Sequence, residues 1–223
     1  MIAELKFIAT PEKGEVSAIF ERPDNATHLL MLGHGASSNM RSPLLSNISA
    51  ALSANGIAVF RYNFPYSENG RGRDGQAVCL ETIRSAAKAA GEAAGDLPLF
   101  AGGHSFSGRM TSTAATATPI ANVHGLIFFA FPLHPAGEPA IARAEHLKDV
   151  SVPMLFLSGE RDALAEPELL TGVIKEFGDR ATLHWVETAD HSFKVLKRQR
   201  SSKEGVFEEL GRTAAEWLRA FPY

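Results

Sequence analysis

Cysteine is nearly absent from the sequence: among 223 residues there is one, Cys79. A single cysteine can form neither an internal disulfide nor a cysteine cluster for a metal ion, and such sparse use is typical of a reducing compartment. The first ten residues carry Glu4 and Lys6 where a secretory signal peptide needs an uninterrupted apolar stretch. We therefore predict no signal peptide and expect a cytoplasmic location.

Long apolar runs and a large excess of one charge are lacking as well. No run approaches the ~20 apolar residues that a membrane helix requires, so we expect no association with membranes. Lysine and arginine number 22 against 25 aspartate and glutamate residues, a formal net charge of -3. That balance does not favour a nucleic-acid binder, and the one basic run, residues 194–203, is typical of a solvated surface.

Sequence patterns for metal ions and phosphates are missing too. The eight histidines are scattered, with neither an HExxH motif nor the paired Cys/His spacing of zinc sites. No GxxxxGK[ST] loop for phosphate binding occurs. We therefore predict no metal and no cofactor, and any chemistry must be carried by side chains alone.

The sequence does contain a regular alternation of short apolar runs and longer helical patterns. Eight predicted strands follow one another: LKFIA, EVSAIFE, HLLMLG, IAVFRYNF, LPLFAGG, GLIFFAF, PMLFLSG and ATLHWVE. The first two predict a hairpin, and the later ones are mostly followed by predicted helices, at residues 42–56, 75–95, 105–118, 166–178 and 205–221. This alternation predicts an α/β fold with a mostly parallel, doubly wound sheet and helices on both faces. Because there is no linker or repeat, we expect one domain over residues 1–223.

Ligands of such open sheets bind beyond the carboxyl ends of the strands. Those ends are followed by the segments "GHGA", "RYNFPY", "GGHSFSG", "SGERD" and "ADHSF". In the third segment, Ser105 lies in a near match to the Gly-x-Ser-x-Gly turn that presents a nucleophilic serine, with Ser107 at the position of the second glycine. Taken alone, the same pattern also fits a serine that caps a helix.

Two further segments supply the partners that a serine nucleophile needs. Asp162, after the seventh strand, is a candidate acid that would fix an imidazole tautomer, with Glu160 as the alternative acid. His191, after the last strand, is the candidate base, and we interpret the neighbouring Asp190 as a loop former. The chain order Ser105, Asp162, His191, each after a different strand, is that of an α/β-hydrolase triad.

The negative oxygen that forms when a serine attacks a carbonyl group requires hydrogen-bond donors. One donor is expected to be the backbone N–H of Phe106, directly after Ser105, and the second that of Ala36 in "GHGA". His34, in the same segment, is a candidate for the substrate pocket, although a role in bracing the loop by hydrogen bonds is favoured.

Several blocks of the sequence together resemble one family. They are "GHGASSNMRSPLL", "GIAVFRYNFPY", "GGHSFSGRM", "FPLHPAG" with "EHL", "MLFLSGERDAL" and "ADHSFKVLKR". On these blocks the sequence is similar to the KANL/Tex-like branch of the α/β-hydrolase superfamily, small predicted hydrolases without a lid that are related to dienelactone hydrolase-like proteins. The resemblance implies the α/β-hydrolase fold, with Ser105 as nucleophile, Asp162 as acid and His191 as base. That family more usually has Met-Gly after the serine, where this sequence has Phe106 and Ser107.

Residues 130–150, between the sixth and seventh strands, are too few for a separate cap domain. They would form a rim around an open cleft, which favours small or accessible acyl groups. Within them Phe131 and His134 are candidates for the acyl pocket, with a surface loop stiffened by prolines as the alternative. Tyr66, Arg71 and Arg73, after the fourth strand, are candidates at the same rim, and the two arginines fit either an anionic substrate or a solvated loop.

Together these features predict a serine hydrolase of the carboxylesterase type (EC 3.1) that cleaves a small or accessible ester through an acyl-enzyme. An ester is favoured over an amide because nothing in the sequence indicates a peptide-binding subsite. An acyltransferase with the same triad and a non-catalytic interaction module on a hydrolase fold are the alternatives. The expected partner is a small-molecule ester, without nucleic acid or membrane.

Overall fold

A computed structural model describes residues 1–70 and 72–221. Its central sheet is built from the strands β1 (Ile2–Thr10), β2 (Gly14–Glu21), β3 (His28–Gly33), β4 (Ile57–Tyr62), β5 (Leu99–His104), β6 (Val123–Phe129), β7 (Met154–Gly159) and β8 (Ala181–Val186). Across the sheet their order is β1-β2-β4-β3-β5-β6-β7-β8. Every predicted strand is present close to its expected position.

The sheet is parallel except at one edge. β3 pairs in parallel with both β4 and β5, and β6, β7 and β8 continue the parallel series from β5. β1 and β2 form the predicted antiparallel hairpin, and β2 joins the sheet antiparallel to β4. The predicted mostly parallel sheet is therefore confirmed. Because its parallel strands point the same way, the loops after β3, β5, β7 and β8 meet at one edge of the sheet.

Helices cover both faces of this sheet. In the described residues they are α1 (Pro43–Ala54), α2 (Pro65–Glu68), α3 (Gln76–Ala94), α4 (Phe106–Ala117), α5 (Pro167–Lys175) and α6 (Val206–Arg219), with 3₁₀ segments at Ala142–Asp149 and Gly178–Arg180. The apolar side chains of α1 and α6 join one buried cluster, and those of α3, α4 and α5 join the cluster on the other face. The doubly wound arrangement agrees with the prediction, whereas α2 and the 3₁₀ segments were not predicted. None of these helices has both the length and the apolar character needed to cross a bilayer.

Local sequence signals set the ends of α1. The Ser42 hydroxyl accepts a hydrogen bond from the Leu45 N–H at 3.4 Å, and Pro43 occupies the first helical position. Beyond the last turn Gly56 has a φ of +77°, a conformation that glycine adopts without steric cost. The chain can therefore leave α1 sharply and enter β4 directly.

The segment between β6 and β7, residues 130–150, is called the rim below. Its Ala144 and Leu147 are buried, and His146 Nε2 lies 2.8 Å from Ser112 Oγ of α4. Residues 136–141 of the rim are exposed. The rim therefore lies along α4, and in the described part of the chain no separate cap domain stands above the sheet, as predicted.

α6 approaches α1 so closely that one position has no room for a side chain. A Cβ on Gly211 would lie 2.5 Å from the carbonyl oxygen of Ala51, whereas a Cβ on Gly172, exposed in α5, would meet nothing within 4 Å. We expect Gly211→Ala to lower the free energy of unfolding by about 1–3 kcal/mol through overpacking. Gly172→Ala should raise it by roughly 0.5–1 kcal/mol, because alanine is the better helix former. Urea unfolding measures both changes, and a Gly211→Ala variant as stable as the wild type would contradict the packing.

Candidate active site

Ser105 stands at the junction of β5 and α4 in a backbone conformation that side chains rarely adopt. Its φ is +54° and its ψ is -113°, a strained region in which a residue persists only when its surroundings hold it. The Ser105 N–H donates to the carbonyl oxygen of Phe129 at the end of β6, 2.9 Å away, and the Ser105 carbonyl accepts from the Arg109 N–H at 3.2 Å. Strand and helix thus hold the turn from both sides.

Glycines around the turn leave space for Ser107, which occupies the position of the second glycine in the motif. A Cβ on Gly103 would lie 2.1 Å from Ser107 Oγ, and one on Gly33 of β3 would lie 2.5 Å from Ser107 Cβ. The Ser107 hydroxyl is buried and donates to the carbonyl oxygen of His104 at 3.1 Å. α4 therefore packs directly on the ends of β3 and β5. Ser107 fits at the inner side of the turn, although the motif has a glycine at this position.

The structure brings the predicted serine, histidine and aspartate into one chain of hydrogen bonds. The Ser105 hydroxyl donates to His191 Nε2 at 2.8 Å, and His191 Nδ1–H donates to Asp162 Oδ2 at 2.8 Å. The second carboxylate oxygen, Asp162 Oδ1, accepts the Leu164 N–H at 2.8 Å, and the Asp162 side chain is fully buried. Ser105 makes no capping hydrogen bond to α4, so the helix-cap interpretation of this serine is wrong.

The alternative acids serve the backbone of the histidine loop. Glu160 Oε2 accepts the Thr188 N–H at 2.9 Å. Asp190 Oδ1 accepts the N–H groups of Ser192 and Lys194 at 2.9 and 3.0 Å, the role of a loop former. Glu160 therefore shapes the loop before His191 and Asp190 the loop after it, whereas the imidazole bonds to Asp162.

A cavity of about 330 Å³ opens beside Ser105, and we call it the Ser105 cavity. It is lined by Ser105, His104, His191, Ser192, residues 35–38 and the start of α1. Residues 35–38 form a turn closed by a hydrogen bond from the Ser38 N–H to the Gly35 carbonyl at 3.2 Å, and we call it the oxyanion turn after the role predicted for Ala36. Among the described residues, the N–H groups of Ala36 and Phe106 donate no hydrogen bond. Both predicted oxyanion donors therefore lack a protein acceptor in this part of the chain, and Ala36 also lines the cavity.

Residues 26–219 match the profile of the family described as alpha/beta hydrolase domain. The chain belongs to this family. The match spans most of the sequence, from the start of β3 to the end of α6. The predicted membership of the α/β-hydrolase superfamily and the predicted hydrolase class of enzyme are thereby confirmed.

Solved structures share the fold of this α/β-hydrolase along their whole length. A dienelactone hydrolase from Anabaena variabilis has a TM-score of 0.75 at 15% sequence identity, with 100% of this chain and 99% of that chain covered. A lidless a/b serine hydrolase from Xanthomonas campestris has a TM-score of 0.74 at 21% identity, with 100% and 96% covered. The esterase domain of a Rhodothermus marinus protein has a TM-score of 0.70 at 18% identity, with 99% and 98% covered. At these identities the likeness establishes the common fold.

His34 lies beneath the oxyanion turn of this α/β-hydrolase and not in the wall of the Ser105 cavity. Its Nδ1–H donates to the Gly35 carbonyl at 2.8 Å, and its Nε2 accepts the Phe64 N–H at 3.3 Å. The ring is fully buried, and burial lowers its pKa to about 4. The favoured bracing role agrees with these contacts, whereas the candidate pocket role does not.

The two pocket candidates of the rim are also placed elsewhere than expected. Phe131 is fully buried, with its ring centroid 5.3 Å from that of Phe128 and 5.7 Å from that of Phe156. His134 Nδ1–H donates to the Pro135 carbonyl at 2.8 Å, and its Nε2 accepts the Glu166 N–H at 3.2 Å. Phe131 thus belongs to the core, and His134 ties the rim to the start of α5; neither lines the Ser105 cavity.

Tyr66 and Arg73 line a second depression of about 550 Å³ on the other side of the oxyanion turn. The two depressions share Ala36, Ser37 and Ser38. The Tyr66 ring is mostly buried, stacked on Phe64 and edge-on to Phe106. These two candidates therefore lie beside the site, while Arg71 lies outside the described residues.

His104 is a residue of the site that the sequence interpretation missed. Its Nε2–H donates to the main-chain carbonyl of His191 at 2.9 Å, and the two imidazole centroids are 5.2 Å apart. Burial lowers its pKa to about 4, so the ring is neutral near pH 7. Its place directly before Ser105, at the carboxyl end of β5, is the signal that would have identified it.

No group of three His, Cys, Asp or Glu side chains within residues 1–70 and 72–221 could hold a metal ion. The ionisable side chains that face one another at the site are those of the Ser105, His191 and Asp162 chain of hydrogen bonds. This arrangement is suited to nucleophilic attack by a hydroxyl whose proton passes to an imidazole.

We predict that His104 positions the base. His104→Phe removes the donor to the His191 carbonyl, and a small displacement of that loop should lower kcat for p-nitrophenyl acetate by about 10- to 100-fold with little change in KM. His104→Gln retains an N–H donor and should recover much of the loss. Equal activity of the two variants, or wild-type activity of His104→Phe, would remove this role from His104.

The buried neutral histidines predict a loss of stability in acid. An unfolded histidine has a pKa near 6.5, whereas burial lowers that of His34 to about 4. Between these values the unfolded chain binds a proton that the folded chain does not, so the free energy of unfolding falls as pH drops from 6.5 to 4. The slope from His34 approaches about 1.4 kcal/mol per pH unit.

Urea unfolding at several pH values measures this slope. His34→Gln should have a shallower slope than the wild type across the window, although its stability at pH 7 will be lower because the brace is altered. Parallel curves for the two proteins would show that the buried imidazole does not contribute to the acid response.

Proposed function

We propose that the protein is a serine esterase that acts on small or accessible esters, with Ser105 as nucleophile, His191 as base and Asp162 as the orienting acid. Residues 1–223 would act as one domain, since a single sheet runs from β1 to β8. The observation that carries the proposal is the chain of hydrogen bonds from Ser105 through His191 to Asp162, which starts at a strained turn.

In the first half-reaction Ser105 Oγ attacks the ester carbonyl carbon while His191 Nε2 takes the hydroxyl proton. Asp162 accepts the Nδ1–H of His191, which fixes the tautomer with a free lone pair on Nε2 and stabilises the imidazolium that forms. The N–H groups of Phe106 and Ala36 are the donors for the oxygen that becomes negative. The imidazolium then gives its proton to the leaving alcohol, and the acyl group remains on Ser105.

In the second half-reaction water replaces the alcohol. His191 takes a proton from the water as it attacks the acyl-enzyme, and the acid is released when Ser105 Oγ recovers that proton. The Ser105 cavity admits water directly, because Ser105 and His191 both lie at its surface. Transfer of the acyl group to an added alcohol uses the same residues, so product analysis with and without alcohol separates hydrolysis from acyl transfer.

An ester is the favoured bond. The cavity of about 330 Å³ suits a small acyl group. The solved structures that share the fold include proteins named as an esterase domain and a dienelactone hydrolase, both of which are named for reactions at ester bonds.

The test replaces the nucleophile. Ser105→Ala should lower kcat for p-nitrophenyl acetate and p-nitrophenyl butyrate by on the order of 10⁴ or more and abolish covalent labelling by a fluorophosphonate. Ser192→Ala removes another hydroxyl from the wall of the same cavity and should keep activity within about threefold of the wild type. A wild type inert to both esters and to the probe, or an active Ser105→Ala variant, would refute the esterase.

A further inference from the structure

Three arginines from different segments gather beside the turn that carries Ser105. The Arg73 guanidinium carbon lies 5.1 Å from the centroid of the Phe106 ring. Arg109 lies in the first turns of α4, and its backbone N–H donates to the Ser105 carbonyl at 3.2 Å. Phe106, which supplies a proposed oxyanion donor, is thus flanked by positive charge.

The third arginine is Arg143 of the rim. The 3₁₀ segment Ala142–Asp149 runs along α4, with His146 Nε2 2.8 Å from Ser112 Oγ. Arg143 lies at the start of this segment, three residues before His146, and it is near enough to Arg109 for the two positive charges to repel each other. Burial, reinforced by the positive charges of Arg143 and Arg73, lowers the pKa of Arg109.

These positive charges are not paired with carboxylates in the described part of the chain. None of the three guanidinium groups forms an ion pair or donates a hydrogen bond there. Other arginines differ: Arg212 pairs with both Glu204 and Glu216, and Arg61 pairs with Glu21. A half-buried cation that is repelled by two like charges costs free energy unless an anion neutralises it. The cluster is therefore suited to binding an anion.

We propose that Arg109, together with Arg73 and Arg143, binds a carboxylate carried by the ester substrate, separate from the ester group that Ser105 attacks. This inference rests on the proposed esterase function. The planar guanidinium group matches a carboxylate with two parallel hydrogen bonds, which sets orientation as well as affinity. Half-esters of dicarboxylic acids and esters that carry a free acid on the alcohol side are the corresponding substrate class.

The first experiment compares esters that differ in this charge alone. On the acyl side the pair is p-nitrophenyl hydrogen glutarate and p-nitrophenyl valerate, and on the alcohol side it is 4-acetoxybenzoate and its methyl ester. We expect the charged member of at least one pair to have a kcat/KM higher by about tenfold or more, a preference that declines as salt is added. Equal rates within both pairs would overturn the carboxylate subsite.

The second experiment assigns the preference to residues. Arg109→Gln should lower kcat/KM for the preferred charged ester by about 10- to 100-fold and that for its neutral partner by less than about threefold. Activity on the neutral ester reports that the variant is folded. Arg22→Gln is the matched control, since Arg22 pairs with Asp96 just before β5, at the opposite edge of the sheet.

The outcomes separate this inference from the function on which it rests. If Ser105→Ala loses activity on charged and neutral esters alike, and the wild type does not distinguish them, the esterase function stands and the carboxylate subsite is excluded. A charge preference that persists unchanged in Arg109→Gln would also exclude it. If the preference for the charged ester is lost in Arg109→Gln and kept in Arg22→Gln, Arg109 is its source.

Discussion

The contact between α4 and the ends of β3 and β5 is the constraint on which the site depends. Ser107 packs against Gly33 and Gly103, where any side chain larger than hydrogen would clash with it. The helix therefore begins directly against the sheet. The chain can make this junction only if Ser105 takes a left-handed backbone conformation. The strained residue therefore projects its hydroxyl away from both elements, toward His191, and the packing of the helix stabilises what the turn alone would not.

Three buried histidines connect the loops that surround that turn. His34 connects the oxyanion turn to the residues after β4, His104 connects β5 to the loop of His191, and His134 connects the rim to α5. Each of the three rings forms hydrogen bonds to main-chain groups. His191 differs because a carboxylate and a hydroxyl face its two nitrogens. Histidine thus links main-chain segments at three positions, whereas at position 191 it joins two side chains.

Sequence periodicity was sufficient for the strands and helices because apolar runs and capping residues act locally, as Ser42 and Gly56 do at α1. Chain order was sufficient to select Ser105, Asp162 and His191, since each follows a strand that ends at the same edge. The wall of the cavity was not predictable in this way. Phe131 follows Ala130, whose φ of +56° turns the chain back into the core, and only tertiary packing decides that direction. The role of His104 was not predicted because its partner is a main-chain carbonyl, and residue types do not reveal hydrogen bonds to the main chain.

The rim is anchored at its two ends and open in the middle. His134 fastens one end and the contact of His146 with Ser112 fastens the other, whereas residues 136–141 extend into solvent without support from the sheet. Because that stretch is held only at its ends, residues inserted there would leave Ser105, His191 and Asp162 in place. This part of the rim should therefore tolerate changes in length at little cost to the stability of the fold.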